Sequence, residues 1–505
     1  MIDRRTVLTG TLAAIAAPSL AAKGDLVVET SVGRVRGLSE GSVRTFRGIR
    51  YGAAKRFQAP VAPPRAKHII DAVAFGPSAL QRGGNYQPQS EDCLFLNIWT
   101  PEAKAGADLP VMVYFHGGAY STGSVVDPLN DGRHLAAKGV VVVTANHRLN
   151  AFGYLYLARI DPRFPDSGNL GQLDLILALQ WIQANIAAFG GDRERITVFG
   201  QSGGGAKIAT LMGMPAAAGL FHRAATMSGQ QVTASGPMHA TERARAYLAH
   251  VKATPDELLT LPVEQLVDGL AASDPVMGGG IYFGPVLDAK WLNRHPFWPD
   301  ANPQSNAIPM ILGNTRDEAR AFFGPNHPKI VGMSWDNLAE RLGPELKVDI
   351  SPEWVVEQYR RLFPTYSPEQ LFFAATTAGR SWRGQIEEAE ARSRAAAPTW
   401  VYQLDFASPV DPWRGAPHTM DIPLVFGTLD APGSITGTSA ASRAVCNAMM
   451  DAFVAFAGSG KASWSQYRLP ERATMIFDAP PRVENDPRKE QREIFARVPY
   501  IQPGT

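Results

Sequence analysis

The stretch Ile196-Thr197-Val198-Phe199-Gly200-Gln201-Ser202-Gly203-Gly204-Gly205 leaves this chain few ways to fold. Four apolar or β-branched residues read as a strand, and Ala206-Lys207-Ile208-Ala209-Thr210-Leu211-Met212 reads as a helix. Between them lies a Gly-x-Ser-x-Gly turn with Ser202 at its tip. A strand that enters a helix through so short a turn is strained. Glycine is needed at Gly200 and Gly204 because side chains on either flank would meet the neighbouring backbone. A serine between glycines also occurs in ordinary turns, so its role depends on what accompanies it.

The surrounding pattern predicts an α/β fold. Leu26–Thr30 and Gly33–Gly37 read as a meandering N-terminal sheet, Arg44–Ile49 as a further strand, and Ser90–Trp99 as a strand entering the main sheet. Pro110–Phe115, Val140–Thr144, Met310–Leu312 and Thr399–Leu404 add apolar strands. A long helix is expected over Leu170–Phe189, with Leu173, Leu177, Trp181, Ala184 and Ala188 on its buried stripe and Gly190-Gly191 ending it. Val445, Met449, Phe453 and Phe456 share a core-facing stripe before Gly458. Strands alternating with helices call for a mostly parallel, twisted central sheet with helices on both faces and long loop insertions.

At 505 residues the length allows several domains, but large α/β enzymes often build one sheet with insertions. A formal charge of +2 without a dense Lys/Arg run gives no footprint for nucleic acid or an anionic membrane surface. Cys93 and Cys446 are the two cysteines, so a disulfide framework is not what holds the fold. Residues 1–22 form a separate object: Asp3-Arg4-Arg5-Thr6-Val7-Leu8, an apolar run through Ala17, and Ser19-Leu20-Ala21 as a small-residue cleavage site. This resembles a twin-arginine export signal, too short for a stable membrane anchor, and predicts a periplasmic or secreted protein.

Ser90–Trp99, His116-Gly117-Gly118-Ala119-Tyr120 and the turn at Ser202, taken in that order, resemble the type-B carboxylesterase and cholinesterase family of α/β-hydrolases in its bacterial branch. The likeness runs from about Val27 to the region near Phe495 and implies a single domain over residues 23–505. It also implies hydrolysis of carboxylic esters through an acyl-enzyme, with a small-molecule ester and water as partners and no metal or organic cofactor. The sequence contains no His-Glu-x-x-His motif and no phosphate-cradling loop.

A serine hydroxyl needs an adjacent base, and that base needs a third group to orient it. In this superfamily the order is Ser, then Asp or Glu, then His. Leu312-Gly313-Asn314-Thr315-Arg316-Asp317-Glu318-Ala319 puts two acids just past a strand end, where open parallel sheets present ligand-facing groups. The resemblance selects Glu318, leaving Asp317 as a helix cap or the alternative acid. His418, in Gly415-Ala416-Pro417-His418-Thr419-Met420-Asp421, matches the family's base, whereas His147 and His222 read as structural. The backbone N–H groups of Gly118, Ala119 and Gly203 would bind the oxyanion. Ala119 replaces a glycine common in the family, but its methyl leaves the donor intact.

The resemblance further implies two ion pairs behind the site, Arg56 with Glu91 and Arg148 with Asp174, and a hydroxyl, Ser228, near Glu318 and His418. Relatives that take cationic substrates carry Glu before the nucleophile; here Gln201 is neutral. Ala79 stands where many relatives place a cysteine that pairs with Cys93, and the intervening loop is short. A neutral or acidic alcohol moiety is therefore expected in preference to choline. Two other readings stay open: a family member that binds without catalysis, as adhesion proteins do, and a specialised lipase, amidase, polyester or toxin esterase on the same site.

Overall fold

The computed structural model describes residues 26–346 and 348–502, so the export-like segment 1–22 lies outside the described residues. Eleven strands among the described residues form one mixed sheet. In chain order they are β1 (Leu38–Glu40), β2 (Val43–Arg50), β3 (Phe95–Thr100), β4 (Leu109–Phe115), β5 (Val141–Ala145), β6 (Gly191–Gln201), β7 (Arg223–Met227), β8 (Met310–Thr315), β9 (Thr399–Leu404), β10 (Ala473–Phe477) and β11 (Arg482–Asn485). Across the sheet β5, β4, β6, β7, β8, β9 and β10 run parallel. β3, β2 and β1 close one edge antiparallel and β11 closes the other. A hairpin of Val27–Thr30 with Gly33–Arg36 stands apart from this sheet.

The parallel strands read as nearly unbroken apolar runs because both faces are covered. On β4, Val111, Val113 and Phe115 point into one core with Val141, Val143, Ile196 and Val198; Met112 and Tyr114 point into the opposite one with Val142 and Phe199. Helix α1 (Leu170–Asn185) joins the first core through Leu175, Leu179 and Ile182. The C-terminal helix spans Ala440–Ser459 and joins the second through Val445, Met449, Phe453 and Phe456. Burying both faces of the sheet removes apolar surface worth roughly 25 cal/mol per Å², the main favourable term for a fold of this size.

Two expectations about helix α1 need correction. The α-helical part of Leu170–Phe189 stops at Asn185, and Ile186–Phe189 tightens into a 3₁₀ turn ended by Gly190 at φ 85°. The helix does not bury a single stripe: Ala184 is exposed and Leu177 and Ala188 are half-buried, whereas Gln172, Asp174 and Asn185 are buried. Those polar positions go inside because each has a partner, Asp174 taking the Arg148 guanidinium and Asn185 binding the Ser31 backbone and hydroxyl. At the C-terminal helix, Gly458 lies within the last turn, and the left-handed residue that stops it is Gly460 at φ 72°.

Candidate active site

Strand β6 delivers Gly200 and Gln201 directly to Ser202, and helix α2 (Gly203–Leu211) begins one residue later. The backbone of Ser202 is forced to φ 55° and ψ −126°, a conformation side chains rarely adopt, and its N–H donates to the Met227 carbonyl at 2.7 Å. The crowding explains the glycines. A Cβ at Gly204 would lie 1.9 Å from the Phe115 carbonyl oxygen, and one at Gly203 would lie 1.9 Å from that of Ala119. Any side chain at Gly203 would thus push the 116–120 loop away from the serine.

That loop leaves the end of β4 with Gly118 at φ 86° and Ala119 at φ 54°. A Cβ at Gly117 would meet the Gln201 backbone at 3.0 Å and the Ser202 Cβ at 3.2 Å, so the loop is seated on the serine turn. Gly118, Ala119 and Gly203 are thereby gathered around Ser202 from two distant segments.

Glu318 follows β8 on a single 3₁₀ turn, Glu318–Ala321, and is 1% exposed. One carboxylate oxygen, Oε2, accepts from Nδ1 of His418. The other, Oε1, accepts from the Ser228 hydroxyl, from the Thr315 N–H at 2.8 Å and from the Asn314 amide at 3.2 Å. Burial pushes the Glu318 carboxyl up, but His418, Ser228 and the Thr315 amide outweigh it and hold the group below its ordinary value. Asp317 turns the other way, accepting from the Ala416 N–H at 2.9 Å and pairing with Arg316 at 3.1 Å, and its side chain does not cap the 3₁₀ turn.

His418 sits between β9 and a short helix, Asp421–Phe426. With Nδ1 donating to Glu318, Nε2 is left as an acceptor, and the Gln201 amide donates to it at 3.2 Å. The Phe322 ring lies 5.1 Å from the imidazole and covers one side. Asp421, fully buried, takes the Tyr402 hydroxyl at 2.8 Å; burial and the Glu318 charge push its carboxyl up to about 6.

The two expected ion pairs both form. Arg148 and Asp174 make a buried fork at 2.7 and 2.9 Å, and the same guanidinium donates to the Gln58 carbonyl at 2.8 Å. Arg56 meets Glu91 at 2.9 Å and also holds the carbonyls of Leu258 and Leu261. The first ties the loops at Arg148 and Gln58 to helix α1, the second joins the segments at Arg56, Glu91 and 258–261, and neither hydrogen-bonds Ser202, His418 or Glu318. Cys93 and Cys446 are buried and unbridged. His147 is buried, and His222 is half-buried with Nδ1 accepting from the Ile196 N–H at 3.3 Å.

Asn314, the Thr315 N–H, Phe322 and Asp421 belong to this site and were not legible beforehand. Their only sequence signal is closeness to Glu318 or His418. A cavity of about 260 Å³ opens beside Gly117, Gly118 and Gln201, lined also by Gln81, Arg82, Asn85, Tyr86 and Thr122. There the 80–86 loop lies against the 116–123 loop, the Gln81 side chain accepting from the Gly123 N–H at 2.8 Å and donating to its carbonyl at 3.0 Å.

Set beside known proteins, residues 24–495 match the model of the Carboxylesterase family. The para-nitrobenzyl esterase of Bacillus subtilis (strain 168) is 34% identical over 496 residues, which is 92% of this chain and 98% of that protein. The fumonisin B1 esterase of Sphingopyxis macrogoltabida is 32% identical over 491 residues, covering 90% and 87%. Among solved structures, the Geobacillus stearothermophilus carboxylesterase superposes with a TM-score of 0.81 at 32% identity, covering 93% of this chain and 100% of that one.

Proposed function

The chain belongs to the carboxylesterase family and is a carboxylic ester hydrolase of the α/β-hydrolase fold; from that premise we propose that it works through a Ser202, His418 and Glu318 triad. The observation that carries this reading is the buried contact of His418 Nδ1 with Glu318, which leaves Nε2 as the acceptor beside the strained serine turn. Ser202 Oγ attacks the ester carbonyl and its proton passes to His418 Nε2. The carbonyl oxygen, now an anion, accepts N–H groups of Gly118, Ala119 and Gly203. His418 returns the proton to the departing alkoxide. Water then adds to the acyl group with His418 as base again, releasing the acid and Ser202. Glu318 holds one imidazole tautomer and stabilises the imidazolium, staying ionised itself.

The alcohol part is assigned to the polar cavity beside Gly118 and Gln201. Neutral Gln201 and the exposed Arg82 support neutral or acidic alcohols over quaternary ammonium ones. Arg4-Arg5 and the apolar run to Ala17 support export by the twin-arginine route; replacing both arginines by lysine should hold the protein in the cytoplasmic fraction.

A fluorophosphonate probe should label wild type and fail on Ser202→Ala, with ester turnover lost in parallel. An unlabelled but active wild type would sink the serine mechanism. Equal kcat/KM for butyrylcholine and an uncharged ester of similar size would sink the substrate preference.

A further inference from the structure

Lys207 lies five residues past Ser202 on α2 and is wholly buried. Lysine is among the residues least often found fully inside a protein without an ionic partner. Yet among the described residues no carboxylate lies within ion-pair distance of this one. Its Nζ donates to the carbonyl of His116 at 3.1 Å and faces the Tyr120 ring, 5.6 Å from the centroid. These two residues bracket the loop that carries Gly118 and Ala119. Tyr120 is itself pinned at its far end, its hydroxyl donating to Gln231 at 2.8 Å.

The neighbours leave Lys207 as the one group here suited to carry charge. His116 stacks on His147 at 4.6 Å, and Nδ1 of His116 meets the Gly117 carbonyl at 2.9 Å. Burial and the nearby lysine push His116 down to about 3 and His147 well below its ordinary value, so both rings are neutral. The Nε2 atoms of both have no protein partner among the described residues. Burial pulls the Lys207 ammonium down to about 7. A cation held without a counter-ion is costly in the resting enzyme, and that cost falls when a negative charge appears nearby. Such an interaction is stronger in the transition state than in the ground state, which is the condition for raising kcat.

We propose that Lys207 is a positioning residue of the oxyanion site, its buried amine clamping the His116 carbonyl beneath the Tyr120 ring and placing positive charge behind Gly118 and Ala119 as the tetrahedral oxyanion forms. The inference rests on the Ser202 acyl-enzyme reading above. Lys207 does not touch the substrate.

The test compares Lys207→Met, which removes both charge and hydrogen bond, with Lys207→Gln, which keeps an N–H for the His116 carbonyl. Each is checked for folding by melting temperature. In Lys207→Met, kcat should fall about 10-fold or more with KM within about threefold of wild type. Affinity for a trifluoromethyl ketone, which adds to Ser202 and presents an oxyanion, should fall by the same factor, and Lys207→Gln, which lacks the charge, should lie between at a loss of about threefold or more. A folded variant of either kind with kcat and ketone affinity within about twofold of wild type overturns the proposal, as does a loss confined to KM. Failure of both variants to fold also overturns it, because Lys207 is then a core residue. Ser202→Ala separates the two readings: turnover retained there defeats the acyl-enzyme mechanism, whereas turnover lost there and kept in the Lys207 variants defeats only the role of Lys207.

Discussion

The side-chain amide of Gln201 donates to Nε2 of His418 at 3.2 Å, so the residue just before the serine touches the nitrogen that would receive the serine's proton. An amide there brings no negative charge to the ring. A carboxylate in its place would favour the imidazolium.

Gln201→Glu should therefore raise the acidic limb of the kcat/KM profile by roughly one pH unit. Activity should drop near pH 7 and return close to wild type near pH 9. The same variant should improve choline esters relative to uncharged ones, because a negative charge now borders the 260 Å³ cavity. A pH–rate profile with paired substrates measures both.

Glu318 and Asp317 are adjacent in sequence and face opposite ways. Glu318→Gln should fold normally and lose roughly three to four decades of kcat, by analogy with the triad acid of serine proteases. Asp317→Asn keeps an acceptor for the Ala416 N–H and should stay within about threefold of wild type. Steady-state kinetics on the pair distinguish them, and the opposite ranking would transfer the role to Asp317.

The 116–120 loop yields a contrast between two small substitutions. Ala119 already holds φ 54°, so Ala119→Gly trades backbone strain for chain entropy and should leave kcat within about threefold. Gly203→Ala puts a methyl 1.9 Å from the Ala119 carbonyl oxygen and should cost about 100-fold or more in kcat. Turnover measured on folded protein, with circular dichroism as the control, checks both.

Asp421 sets a pH dependence of stability. Its folded carboxyl is pushed up to about 6, above the unfolded value, so the buried charge costs nothing in strong acid and its full amount above the folded value. Asp421→Asn keeps an acceptor for Tyr402 and removes that cost. Urea unfolding should show the variant more stable than wild type at pH 8, on the order of 1–3 kcal/mol, and equal to it near pH 3.

Much of the site was legible because it is local. Gly-Gln-Ser-Gly-Gly after an apolar strand states its own turn, His116-Gly117-Gly118 follows a strand end directly, and Gly415–Asp421 lies on the connection between strand β9 and the next helix. Helix faces were less legible. The stripe on Leu170–Asn185 failed because this helix buries Asp174 and Asn185 as well as its leucines, and no periodicity shows which polar residues will find partners inside.

What the sequence by itself determined is the alternation of apolar strands with helices, the strained turn at Ser202 and the family, since each follows from residues adjacent along the chain. What the tertiary structure decided is who meets whom. It turns Glu318 and not Asp317 toward His418, lays the Gln201 amide on Nε2, and buries Lys207 against the His116 carbonyl with no carboxylate in ion-pair distance among the described residues. These contacts join segments far apart in the chain, and their energies depend on burial and direction, which a linear pattern of residue types does not carry.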